Sequence, residues 1–200
     1  MSTLQSIKQE AFALFAQKGY EATTLNEIAS RVGIKKPSLY VYFSSKQELF
    51  LSVFDDLLQE YQSAVQQMIE EAGKAELDQQ LLILFKKYIL WFANERTKAQ
   101  FWNRALLFPP ADVKDEIFRR ITNVELQFLQ KEAEIIERLM GSGVIRKGER
   151  DEVLLSIRSL RSGLLSAFLI NPDMEQEKID KAWERFWFGN WGGGNFYEGN

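Results

Sequence analysis

Two hundred residues, 46% hydrophobic and 26% charged, fall in the globular range and allow one or two domains with a sizeable core. The chain has no Cys and no His, which excludes a disulfide frame, a thiolate metal site and histidine-based catalysis, metal ligation or pH switching. The N-terminus lacks an apolar signal core and no apolar run approaches about 18 residues, so a cytoplasmic protein is expected, with no membrane span, metal or cofactor.

The first predicted element is a helix over 3–18, with Ile7, Ala11, Leu14 and Phe15 on one face and Gly19 ending it. The stretch 24–50 then reads as two short helices joined by a tight turn, running into the cap of a third. Ile28, Ala29 and Val32 form one side of the first of these. Gly33 stands where the chain must reverse and positive φ is cheap only for glycine. Ile34, Leu39 and Tyr42 supply apolar contacts, and Pro37 suits a first helical turn, where its missing N–H costs nothing. Thr24 with Glu27 and Ser45 with Glu48 have the spacing of capping boxes.

Such a helix-turn-helix has one dominant use, holding a short helix in the major groove of DNA. Lys35 and Lys36 stand at the entrance to the second helix, and Ser38, Tyr40 and Tyr42 project along it. Lys46 lies in the first turn of the next helix, where its charge opposes the helix dipole unless an anion such as a DNA phosphate is held there. Phosphate contacts would set the register and base contacts would carry sequence information.

Taken with Phe15, Gly19-Tyr20, Thr23-Thr24, Ile28-Ala29, Val32-Gly33-Ile34, Ser38-Leu39-Tyr40, Tyr42-Phe43, Ser45-Lys46 and Leu49-Phe50, residues 1–50 resemble the N-terminal domain of the TetR family of transcriptional regulators. The resemblance covers about a quarter of the chain. It implies an all-α homodimer that binds double-stranded operator DNA, usually a repressor released by a small ligand. It also implies that Thr24, Lys36, Ser38, Tyr40, Tyr42 and Lys46 touch DNA; Lys35 and Pro37 complete the candidate set.

Charge distribution agrees. Residues 1–50 hold six basic side chains against four acidic, +2, whereas the other 150 hold 19 against 24, −5, so an overall −3 conceals a positive end.

Beyond the turn, a helix over 46–72 carries apolar residues at helical spacing from Leu49 to Ile69 and stops at Gly73. It reads as a rod joining a DNA-binding head to a body and able to pass movement between them. A helix over 77–94 is apolar on most sides and should be central. A short helix follows over 97–106, Pro109-Pro110 breaks the chain, and a long charged helix runs 111–140 to Gly141. The expected division is a DNA-binding domain over 1–50, a helical effector-binding and dimerisation domain over 51–188, and a Gly-rich tail over 189–200, with about nine helices in all.

Trp91, Phe92, Phe101, Trp102, Phe108, Phe118 and Phe128 lie in the segments that form the cavity in the family, which suggests a hydrophobic small-molecule effector, flat or greasy. Ordinary core packing is the competing reading for each ring. Glu95, Glu125 and Glu132 could pair with a cationic ligand, but in helices this charged such residues are more often solvated.

The last two helices are expected over 150–170 and, after Asn171-Pro172 with Asp173 and Gln176 as caps, over the following turns. Ser159, Ser162, Gly163, Ser166 and Ala167 are small enough to admit a partner helix. Ile179, Ala182, Trp183, Phe186 and Trp187 form one stripe. Periodicity leaves core and interface open; the resemblance implies a four-helix bundle between two subunits, with Leu160, Leu164, Phe168, Trp183, Phe186 and Trp187 in it. Two heads would then read half-sites ~34–36 Å apart. The tail, with Trp191, Phe196 and Tyr197, reads as a free end, a strap over the body or an expression remnant. No nucleophile elbow, phosphate loop or paired-carboxylate motif points to an enzyme. The rival reading is a helical adaptor that binds protein or membrane through amphipathic faces.

Overall fold

The computed structural model describes residues 2–145, 150–171 and 176–190. Among them the fold is all-α, as expected: α1 (Thr3–Lys18), α2 (Leu25–Val32), α3 (Lys36–Leu39), α4 (Lys46–Ala72), α5 (Leu77–Ala93), α6 (Arg96–Leu107), a 3-10 turn at Ala111–Val113, α7 (Lys114–Gly141), α8 (Arg150–Ile170) and α9 (Glu177–Asn190). Helix α9 carries two residues, Gly189 and Asn190, that glycine content had assigned to the tail. Residues 191–200, with Trp191, Phe196 and Tyr197, and the proposed cap Asp173 lie outside the described residues.

The chain divides into two compact units. The division does not follow residue 50. Unit 1 comprises residues 1–63 and 95–124, and unit 2 comprises 64–94 and 125–200. Helices α4 and α7 supply residues to both.

Unit 1 gathers the helix-turn-helix together with α6 because their aromatic rings interlock. Phe101 of α6 stands 5.1 Å from Phe12 and 5.4 Å from Phe50, ring centre to ring centre, and Trp102 stands 4.7 Å from Tyr61. Phe50 meets Phe15 edge-on at 5.1 Å. Such pairs contribute about 0.5–1.5 kcal/mol each beyond their buried area. Arg104 adds a polar tie, donating from Nε to the Ala16 carbonyl (2.9 Å) and from Nη2 to the Gln17 carbonyl (3.1 Å). These are among the last carbonyls of α1, which have no partner within their own helix. The start of α7 is held to α4 through Arg120, which pairs with Asp55 and with Glu116 of its own helix.

Unit 2 is built on α5, which is buried at Leu81, Leu84, Phe85, Tyr88, Ile89 and Phe92. Trp183 of α9 packs on Phe85 at 4.8 Å, and Lys86 pairs with Asp180 at 2.5 Å. Helix α8 is the one described helix long and apolar enough to cross a membrane by length and mean hydropathy. Its Arg161, however, is 4% exposed inside unit 2 and donates to Glu132 of α7 at 2.7 Å.

Candidate nucleic-acid interface

Helix α2 begins at Thr24, whose Oγ accepts the Glu27 N–H at 3.1 Å. The reciprocal half of the expected box is not made: the Glu27 carboxylate pairs with Lys18 at 2.5 Å. The Ser45–Glu48 box is altered in the same way. Ser45 Oγ accepts the Glu48 N–H at 3.0 Å, but the Glu48 carboxylate turns to Ser44, accepting its N–H at 2.7 Å and its hydroxyl at 2.6 Å. The Ser44 hydroxyl and N–H hold the Glu48 carboxyl below its usual range.

At the other end of α2, Gly33 adopts φ 77°, ψ 26°. Its N–H reaches the Ser30 carbonyl at 3.2 Å and the Ile34 N–H reaches Ala29 at 3.0 Å, the paired bonds of a Schellman turn. Ala29 is buried where the backbones approach. The reversal delivers the chain to Lys35 and then to α3, with Pro37 in its first turn.

Helix α3 is only four residues long. Tyr40 and Tyr42 therefore do not lie along it; they stand on the turn that follows, where the Tyr42 and Phe43 N–H groups both reach the Leu39 carbonyl. Leu39 and Phe43 point into the core. Everything between and beside them is exposed: Lys35, Lys36, Pro37, Ser38, Tyr40, Val41 and Tyr42. Lys36 Nζ stands 5.9 Å from the centre of the Tyr40 ring. Val41 was missed by the sequence reading, although an aliphatic side chain 81% exposed between two tyrosines is the more unusual feature.

Lys46 is placed differently from the reading that its charge awaits an anion. Its Nζ donates to the carbonyls of Tyr20 (2.8 Å) and Thr23 (3.2 Å) and stands 4.1 Å from the Tyr20 ring centre. The turn between α1 and α2 thus supplies negative dipoles and a ring face to a cation at the start of α4. Burial, with Asp112 and Glu21 nearby, raises the Tyr20 phenol above its ordinary value.

Residues 7–53, the whole of this arrangement, match the sequence profile of the bacterial regulatory proteins of the tetR family. The TetR-family match is to this N-terminal segment. It is 42% identical over 59 residues to the transcriptional activator FasR of Mycolicibacterium smegmatis, covering 30% of this chain and 27% of that one. It is 50% identical over 44 residues to IcaR, the negative regulator of the biofilm operon icaADBC in Staphylococcus aureus, covering 22% and 24%. The matched region spans about a quarter of the length of these curated relatives. The wider fold is similar to that of FadR from Bacillus subtilis, solved with stearoyl-CoA (TM-score 0.70, 18% identity, 92% of this chain and 98% of that one). It is also similar to the ketosteroid regulator KstR2 of Mycobacterium tuberculosis (TM-score 0.76, 19% identity, 94% of each).

The seven aromatic candidates do not gather in one unit. Phe101, Trp102, Phe108 and Phe118 belong to unit 1; Trp91, Phe92 and Phe128 belong to unit 2. Phe101 and Trp102 are engaged by rings of α1 and α4, while Phe108 and Phe118 are exposed. In unit 2, Phe92 and Phe128 are fully buried, each against Tyr88, and Trp91 is half-buried edge-on to Phe92. The three acidic candidates also separate. Glu95 is exposed, and Glu125 is half-buried. Glu132 is 1% exposed and pairs with Arg161, whose guanidinium lies 4.2 Å from the centre of Tyr88 and 4.9 Å from that of Phe128. Glu132 Oε2 has no hydrogen-bond partner.

Of the six interface candidates, Phe168 and Trp183 are buried within the chain, and Leu160, Leu164, Phe186 and Trp187 are half-buried. Trp187 stacks on Trp183 at 5.3 Å. Helices α8 and α9 also leave Leu155, Ile170 and Phe188 exposed, outside the six candidates.

Proposed function

We propose that this chain is a DNA-binding transcriptional regulator that works in the cytoplasm as a homodimer, with residues 1–50 as reader and 51–188 as effector-binding and dimerisation region. The observation that carries the reading is the unbroken exposed strip from Lys35 to Ser38 and Tyr40 to Tyr42, set on a turn whose only buried members are Leu39 and Phe43. Lys35 and Lys36 neutralise phosphates. Ser38, Tyr40 and Tyr42 offer hydroxyls, and Val41 an apolar surface for a thymine methyl, each good base contact contributing ~1–3 kcal/mol of discrimination. Thr24, Pro37 and Lys46 set the pose: the first as cap, the second by fixing φ, the third by tying the turn before α2 to α4.

The sign of regulation is proposed as repression, released when a small hydrophobic molecule binds the body. An effector must prefer the form that does not bind DNA, with a coupling typically of ~1–3 kcal/mol. The stearoyl-CoA in the FadR structure and the ketosteroid in the name of KstR2 support a greasy effector for a body of this fold. Leu155, Leu160, Leu164, Ile170, Phe186 and Trp187 form the proposed dimer face.

The deciding experiment is selection of bound duplexes from sheared genomic DNA by the purified chain. The expected product is a palindrome whose half-sites lie about one helical turn apart, with binding that weakens steeply as salt is raised. A chain indifferent to every duplex at low ionic strength would end the proposal.

A further inference from the structure

We infer that unit 1 carries a small-molecule site of its own, separate from any effector site in unit 2, and that its ligand is a planar aromatic carboxylate. The site is a cavity of about 470 Å³ between the turn after α1 and the loop after α6. That size is within the range of ligand pockets. Its lining includes Phe50 and Phe101, interlocked at 5.4 Å and almost wholly buried, and Phe108, Pro109 and Pro110 after α6. Phe108 is 78% exposed. Its ring face is therefore open to stacking by a flat partner.

Charge selects the acid. Lys18 and Arg104 line the cavity, against one carboxylate, Glu21, which is exposed. Lys18 is already paired with Glu27. Arg104 is not paired: no carboxylate lies within salt-bridge distance of it among the described residues, because its Nε and Nη2 are spent on the neutral carbonyls of Ala16 and Gln17. Those two bonds hold the guanidinium in one orientation while leaving its charge unneutralised. Nη1 passes so close to Gly19 that a Cβ there would stand 3.3 Å from it, and Gly19, at φ 83°, is a position suited to glycine. A fixed guanidinium edge with a free N–H, in a cavity that also presents the exposed Phe108 ring, suits a carboxylate attached to a ring.

The site adjoins the reader. The same turn, Gly19 to Thr23, is bonded to Lys46 of α4 through the Tyr20 and Thr23 carbonyls and precedes the Thr24 cap of α2. A ligand bridging Arg104 and the turn would act on the reader without passing through the body.

The test is titration of the full chain with sodium 2-naphthoate, and with neutral 2-naphthamide as control, followed by amide NMR shifts. Saturable shifts at Gly19, Ala22, Ala105, Phe108 and Ala111 are expected, with naphthoate bound at least about tenfold more tightly than the amide. Phe108→Ala, on an exposed ring that the fold does not need, should weaken binding about fivefold or more. Arg104→Gln should erase the preference for the acid. Absence of shifts at these residues up to about 5 mM, equal affinity for acid and amide, or an unaffected Phe108→Ala variant would overturn the inference. None of these outcomes bears on operator binding, which is measured separately on the same variants.

Discussion

Lys46 Nζ lies 2.8 Å from the carbonyl oxygen of Tyr20 and 4.1 Å from the centre of the same residue's ring. One cation thus closes the turn that precedes α2 and is satisfied from two directions. Replacing it with methionine is expected to cost about 1–3 kcal/mol of stability, the worth of charge-assisted hydrogen bonds with a cation–π contact. Operator affinity should fall with it. Urea unfolding and fluorescence anisotropy on a labelled duplex read the two effects; unchanged stability would show the bonds to be ornamental.

The exposed strip should behave in the opposite way. Tyr40→Ala and Val41→Ala are expected to leave stability within about 0.5 kcal/mol of the parent, since both side chains are exposed, while reducing operator affinity and altering which bases are preferred. Lys35→Ala and Lys36→Ala should weaken binding to all duplexes and each lower the salt slope by about 0.9. Binding that survives Tyr40→Ala unchanged would mean that the reading face has been placed wrongly.

Gly33 tests the turn itself. Nothing lies within 4 Å of a Cβ built there, so any penalty is purely one of backbone conformation at φ 77°. Gly33→Ala should destabilise by ~1–2 kcal/mol, with Gly33→Asn less harmful, by thermal unfolding.

Glu132 and Arg161 make a buried pair with opposite single and double effects. Arg161→Met should cost ~3–5 kcal/mol, because an unpaired carboxylate remains inside, and adding Glu132→Leu should restore most of it. Burial pushes the Glu132 carboxyl up, and Arg161 only partly opposes this. A raised folded value means that the native state keeps this proton to higher pH than the unfolded chain does. The stability contributed by this group is therefore full below the ordinary carboxylate range and is lost as pH rises through the raised value. Urea curves across pH should show that decline relative to Glu132→Gln, which cannot titrate; parallel profiles would refute it.

Buried and half-buried positions of α8 and α9 should separate fold from assembly. Trp183→Ala removes a side chain 5% exposed against Phe85 and should cost ~3–5 kcal/mol. Leu164→Asp and Phe186→Asp, at half-buried positions, should leave each chain folded while converting a dimer to a monomer and abolishing operator binding, by light scattering and anisotropy. A monomer that still binds tightly would contradict the proposed face.

Helix boundaries in this protein were legible because they are local matters. Gly19 and Gly73 act on their own backbone, so α1 and α4 end at the expected residues, Lys18 and Ala72. The helix-turn-helix was legible for the same reason: a turn and a cap need no distant partner to be recognised. Choice of partner was not. Glu27 turns to Lys18 and Glu48 to Ser44, although spacing offers each the cap. Lys46 finds carbonyls 23 and 26 residues away. Glu132, one of three equivalent acids by sequence, is singled out by an arginine 29 residues later.

Aromatic content marked Phe101 and Trp102 of α6 but not their neighbours, which are rings of α1 and α4. Periodicity determines which face of a helix avoids water. Only the packed structure decides which other face receives it, because many apolar surfaces are nearly equivalent until their shapes and buried charges are brought together.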